Sequence, residues 1–255
     1  MKIYCCEDRA ESILSGIYDA WADPVPNREI RLLVGQEAQL SFLDELAAPD
    51  VTYEKAAKVM DSIGRKLGPE VLRYVEGALS ASAADKADAL FQFLQYAFPR
   101  AASARFLMND LNAPEVMRVF ELNRKSRNEA HLLLGFLRFA KLSDALYYAK
   151  IGPVNDVLPL IADHFAERFN TQAFLIYDEK RQKSVVYAPG TNWYFVEGEM
   201  NLPERELARR DGYEALWKTF FDTIAIKERL NPVCQRTHCP IHFRAYMNEF
   251  NIEKG

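Results

Sequence analysis

Residues 127–181 read RNEAHLLLGFLRFAKLSDALYYAKIGPVNDVLPLIADHFAERFNTQAFLIYDEKR, and their hydrophobic rhythm decides the fold. Residues 136–142 and 145–151 alternate about Ser143-Asp144, the pattern of a β-hairpin. The period then changes: Val154, Val157, Leu158, Ile161, Phe165 and Phe169 fall on one face of a helix over 154–169. Residues 174–177 and 184–188 form a second hairpin around Glu179-Lys180-Arg181-Gln182, and 193–196 form a further strand. Hairpins with an interposed helix predict an α+β fold with a mainly antiparallel sheet, of about five strands, covered by helices.

Working outward, a long helix is expected from Pro114 to about Leu134. The chain opens with a strand at 2–6 and a helix whose apolar face is Ala10, Ile13, Leu14, Ile17, Tyr18 and Trp21. Asp8 and Glu11 have the spacing of a capping box for that helix, Pro24 and Pro26 stop it, and 28–34 read as a second strand. Residues 52–108 are helical, with a stripe of Ala56, Val59, Met60, Ile63 and Leu67 closed by Gly68, then helices over 69–79 and 85–98. Tyr213, Leu216, Trp217, Phe220 and Ile224 predict an aromatic-rich helix after the sheet. The expected organisation is 1–113 (strand–helix–strand unit and helical segment) and 114–255 (long helix, sheet and C-terminal helices), as two domains or one continuous domain.

No apolar run reaches the ~18 residues that would span a bilayer, and two acids follow the opening strand where a signal peptide would stay apolar. With only 4 cysteines in 255 residues, a cytoplasmic, reduced protein with no membrane partner is expected. Charge is uneven. Residues 1–115 hold 12 Lys/Arg against 18 Asp/Glu; the remainder holds 20 against 18, and all four histidines. A polyanion would choose the second half.

The 11 glycines do not cluster, so neither dinucleotide nor P-loop phosphate fingerprints are present, and HExxH, GxSxG and CxxC are absent too. No cofactor is expected. Arg124, Arg127 and His131 share a face of the long helix and Arg138 follows, a grouping suited to phosphate or carboxylate recognition. The plainer reading is a solvated face with Glu121 and Glu129 as partners. His164 and Arg168 lie one turn apart on the polar side of the next helix, flanked by Asp163 and Glu167; imidazole beside carboxylate suits acid/base chemistry, or simple exposure. Asp178 and Arg181 bracket the hairpin turn as a stabilising ion pair, or as an arginine presented at a loop tip. Cys234, His238, Cys239 and His242 are four zinc-type donors in spacing that matches no zinc motif, so no metal is assigned. Arg229 begins a basic, aromatic stretch that suits nucleic-acid contact or core packing.

Several segments, in order, carry a resemblance: Glu129-Ala130-His131, Gly135-Phe136-Leu137-Arg138-Phe139, Tyr148-Ala149, Val157-Leu158-Pro159, His164-Phe165-Ala166-Glu167-Arg168-Phe169, Ile176-Tyr177-Asp178-Glu179-Lys180-Arg181, Leu216-Trp217-Lys218 and Glu228-Arg229-Leu230-Asn231-Pro232. The chain resembles a bacterial family of DNA metabolism or DNA repair proteins of unknown mechanism, fused to or encoded beside a uracil-DNA glycosylase-like domain and beside a radical SAM protein. It departs from that pattern at Leu132, where a basic residue often follows His131, and at the cysteines and histidines of 234–242. The resemblance implies a stand-alone, nucleic-acid-binding DNA repair accessory with radical SAM or glycosylase-like partners. Arg124, Arg127, Arg138, Arg168, Arg181 and Arg229 would face DNA or a nucleotide-like ligand, and Tyr148 or Trp193 would stack on an unpaired base. The alternatives are an enzyme acting on damaged DNA or a modified nucleotide with His131 or His164 as acid/base, and a protein-docking scaffold.

Overall fold

The structure, a computed structural model, describes residues 1–35, 44–143, 145–200, 220, 223 and 239–247. It divides into two compact units, Met1–Arg127 and Asn128–Gly255. Mixed helices and strands give the α+β fold that the periodicities predict.

In the first unit β1 (Lys2–Cys6) lies between β2 (Ile30–Val34) and β3 (Glu45–Ala47), parallel to both. Parallel neighbours need a crossover, and α1 (Ala10–Ala22) supplies it, burying Ile13, Leu14, Ile17 and Ala20. The capping box does not form. The helix starts after Arg9, the Ser12 hydroxyl accepts from the Glu7 amide at 3.0 Å, and Asp8 is taken by the buried Lys86 ammonium. An ion pair to a buried cation outweighs a cap that water can replace.

Helix α2 (Tyr53–Ser80) is capped by the Thr52 hydroxyl, which accepts from the Lys55 amide at 3.3 Å. It is broken at Gly68, whose φ of 89° and ψ of 170° belong to a region that only glycine enters freely, and Pro69 restarts it. The sequence reading of two helices closed by Gly68 and opened by Pro69 describes this kink. Helix α3 (Lys86–Ala97) leads into a 3₁₀ stretch at Phe98–Asn109. Phe91, Phe93, Leu90, Leu94, Ile13 and Ile63 are fully enclosed in this core, each contributing about 1.5–3 kcal/mol through burial.

Helix α4 (Pro114–Phe136) buries Val116, Val119 and Leu122 in the first core and Ala130 and Leu133 in the second. The division falls within it, between Arg127 and Asn128, where the sequence reading drew a boundary at 113/114.

The second unit is a five-stranded sheet in the order β4 (Ala140–Ser143), β5 (Leu146–Ile151), β6 (Ala173–Asp178), β7 (Lys183–Tyr187), β8 (Tyr194–Glu197). Three junctions are antiparallel, but β5 and β6 run parallel because α5 (Leu158–Arg168) is a crossover between them. Register places Tyr147, Ala149 and Ile151 beside Phe174, Ile176 and Asp178, then Tyr187, Val185 and Lys183. The residues 149, 151, 174, 176, 185 and 187 of that face join Leu158, Ile161, Ala162 and Phe165 of α5 in one core. Helix α5 begins four residues later than the apolar stripe suggests. Val154 is 54% exposed, since its amide and that of Asn155 are drawn into hydrogen bonds with Glu129 and are withheld from a helix. Phe136 ends α4 where a strand was expected, packing on Phe243 at 5.9 Å. The aromatic-rich helix expected over 213–224 lies outside the described residues apart from Phe220 and Thr223. Among the described residues no helix is long and apolar enough to cross a membrane.

Gly68→Ala should cost about 1–3 kcal/mol, because a Cβ is strained at that φ and ψ, and would lower the urea midpoint. Asp23 gives a pH test: the Lys2 ammonium, the Tyr4 hydroxyl and the Val25 amide hold its carboxyl down at about 2. Its folded value lies below the unfolded one, so the stability it adds is present above about pH 4 and disappears as pH falls toward 2. The urea midpoint of wild type should therefore exceed that of Asp23→Asn at neutral pH, and the gap should close across that window. A pH-independent gap would refute the assignment.

Candidate functional site

Because β5 and β6 are parallel, their carboxyl ends reach the same edge of the sheet, the edge where open α/β sheets carry ligands. Residues 152–157 leave β5 there, and the turn 179–182 leaves β6. Both are fastened by buried carboxylates. Glu129, on α4, accepts from the Val154 amide at 2.7 Å, the Asn155 amide at 2.8 Å and Asn155 Nδ2 at 2.6 Å. Asp178, fully buried, accepts from the Lys180 amide at 3.0 Å and pairs with Arg181 at 3.1 Å. Burial pushes the Asp178 carboxyl above its ordinary value, opposed by Arg181 and the turn amides. Arg181 also donates to the Pro153 carbonyl at 3.3 Å and the Val154 carbonyl at 2.5 Å, so it ties one loop to the other.

Beyond this tie, Glu179 receives Lys150 at 2.5 Å and the Tyr246 hydroxyl. Burial works to raise the Glu179 carboxyl, but those two donors and Lys180 bring it below the usual range. Lys183 pairs with Asp156 at 3.1 Å, and its ammonium lies 4.0 Å from the Phe195 ring centre.

A second arrangement lies along the outer side of α5. Asp163, His164, Glu167 and Arg168 are all exposed. The Trp193 indole N–H donates to Asp163 Oδ1 at 2.6 Å, and Trp193 meets Phe195 edge-on at 5.1 Å. Trp193 is thereby held against the helix that carries His164 and Arg168. Neither of those two has a hydrogen bond or ion pair among the described residues.

The other residues singled out from the sequence separate. Arg127 belongs to the first unit, where it donates to Asn123 Oδ1 at 2.9 Å and the Arg73 carbonyl at 3.0 Å and lies 3.9 Å from Glu76. Glu121 pairs with Arg118 instead, and Glu129 is committed to the loop. Arg124 is exposed in that same unit. Arg138 donates to the Gly135 carbonyl at 2.8 Å and the Leu137 carbonyl at 3.3 Å, closing the end of α4. His131 is exposed, and like His164 it hydrogen-bonds no carboxylate among the described residues.

Tyr148 is corrected: at 6% exposure its ring offers no stacking face, and burial has pushed its hydroxyl up to about 12. Arg229, Cys234 and His238 lie outside the described residues. Cys239 Sγ is 3.7 Å from Met247 Sδ, and His242 is 3.9 Å from Glu129. No group of three His, Cys, Asp or Glu among the described residues could hold a metal ion.

Sequence reasoning passed over Asn155, and it read Glu129 only as a partner on a solvated face, Glu179 only as a turn residue and Tyr246 only as part of the basic, aromatic stretch. For Glu129 a signal existed: Leu122, Ser126, Glu129 and Leu133 recur at 4, 3 and 4 residues, so an acid occupies a position of the buried stripe. Glu129→Ala would remove the acceptor of the part-buried Val154 amide and of the buried Asn155 amide and Nδ2, and should cost about 2–4 kcal/mol in urea unfolding, with Glu129→Gln milder since it keeps an acceptor. A change under about 0.5 kcal/mol would mean that the loop does not depend on this carboxylate.

No curated protein and no solved structure matches the chain. The model of a domain of unknown function, DUF4130, matches residues 84–249, from α3 of the first unit through nearly all of the second. This chain is a member of the DUF4130 family.

Proposed function

We propose that this protein is a nucleic-acid-binding accessory in DNA repair, acting beside a radical SAM or uracil-DNA glycosylase-like protein, with the α5–β8 surface as its contact. The observation that carries the reading is Trp193, pinned through its indole N–H to Asp163 with exposed His164 and Arg168 on the same helix. An indole held at its polar edge keeps its orientation, and stacking of a base on such a ring is worth about 1–3 kcal/mol. Phe195, on the same face of the sheet, extends the aromatic surface along β8, and Lys183 sits over it. Asp163 and Glu167 oppose a polyanion on this same surface, so stacking outweighs charge and unpaired strands are preferred to duplex. The DNA repair setting and the two partner classes rest on the resemblance of the ordered segments to the DNA metabolism family.

A scaffold reading is favoured by one feature. Strand β8 ends the sheet among the described residues and exposes Tyr194, Phe195 and Val196, so a protein partner could add a strand there.

Fluorescence anisotropy with a labelled single-stranded oligonucleotide tests the proposal. Trp193→Ala should weaken binding about tenfold and Arg168→Glu comparably, duplex should bind less tightly, and the salt slope should be shallow, near −0.7 per phosphate neutralised. Absence of binding at about 50 mM salt, or indifference to both substitutions, would remove the nucleic-acid reading. Capture of a partner protein lost on Val196→Lys, without DNA affinity, would favour the scaffold.

A further inference from the structure

We infer that the first unit holds a binding cleft for a nucleoside monophosphate, formed by α1, α2 and the end of α3. It lies wholly within that unit and owes nothing to α5 or β8, so it stands or falls apart from the reading above. The cleft is open to solvent and has a volume of about 510 Å³, within the range of small-ligand sites. Trp21 and Phe98 give it apolar walls, with the enclosed Leu94 behind them, and Trp21 meets Phe98 edge-on, with ring centres 5.2 Å apart and planes at 75°. Two rings so placed offer a planar base one aromatic face and one edge.

The polar lining is specific in kind. Among the described residues no carboxylate lines the cleft, and Lys66 is its one cation. Neighbouring Arg65 is paired with Asp61, whereas Lys66 has no ion pair among the described residues. Its ammonium stands 5.6 Å from the Phe98 ring centre, so the charge is held beside the aromatic wall. Asn27 and Gln95 also line the cleft, and neither side chain has a hydrogen bond among the described residues. Each amide presents a donor and an acceptor, the combination that pairs with a base edge. One ammonium, the Ser62 hydroxyl, two open amides and an aromatic wall match one phosphate, one base edge and one planar ring. A di- or triphosphate would bring charge that nothing in the lining answers.

Isothermal titration of the full chain with the four ribonucleoside 5′-monophosphates, their parent nucleosides and inorganic phosphate tests this. At least one monophosphate should bind with a Kd below about 1 mM and at least tenfold more tightly than its nucleoside. Lys66 is exposed, so Lys66→Ala should fold normally, weaken the monophosphate about tenfold and leave the nucleoside within about twofold. Gln95→Ala should reduce discrimination among the four bases. The Trp193→Ala, Arg168→Glu double variant should bind the monophosphate as wild type does, which separates this site from the α5–β8 surface. Failure of all four monophosphates to bind at about 1 mM, or a nucleotide affinity unmoved by Lys66→Ala, would overturn the inference.

Discussion

The carboxylate of Glu129 takes three hydrogen bonds from the two residues that follow Pro153, and the start of α5 is set by that arrangement. A buried carboxylate costs several kcal/mol unless its oxygens are filled, so it fixes whatever fills them. His242 Nε2 stands 3.9 Å away, beyond hydrogen-bond reach, which leaves backbone and side-chain amides to do the filling. From the opposite side Arg181 holds the carbonyls of the same loop and neutralises Asp178. Donors and acceptors of one short segment are thus claimed by two charges of opposite sign.

The first unit uses the same logic with different outcomes for its acids. Asp88 accepts from the Leu32 amide at 3.3 Å and from Gln92 at 2.7 Å, with Arg31 at 3.7 Å, and burial wins: its carboxyl is raised. Asp23 has Lys2 at 2.5 Å, Tyr4 at 2.7 Å and the Val25 amide at 2.9 Å, and hydrogen bonding wins: its carboxyl is lowered. The difference is one full charge at hydrogen-bond distance. Lys86 completes the set, its buried ammonium donating to the Leu79 carbonyl at 2.9 Å while holding Asp8.

Periodicity made the elements of both units legible, because a buried face leaves a mark every two or 3.6 residues. Breaks were legible too, at Gly68-Pro69 and at Pro24, where backbone stereochemistry forces them. Strand direction was less so. Two apparent hairpins hid a parallel β5–β6 pair, since alternation fixes which face a residue occupies and not which neighbour it meets. The site was least legible. Arg127, Arg138 and Arg181 look alike in sequence as surface cations, and all three donate to backbone carbonyls that only the folded chain brings near. Glu129 was the reverse, an ordinary helix acid in composition whose stripe position alone betrayed burial.

This sorting of the arginines changes what kind of binding surface the second unit can offer. An arginine that closes a helix end or ties two loops has its fork occupied, and releasing it to a phosphate would cost the hydrogen bonds it gives up. On the α5 face Arg168 and His164 remain, with Asp163 and Glu167 beside them. One arginine and one histidine against two carboxylates leave no excess of positive charge to draw a polyanion from a distance, and salt screens what local attraction remains. Recognition there must be local and aromatic. Trp193 suits it because Asp163, which weakens the electrostatic attraction, is the group that fixes the indole in place.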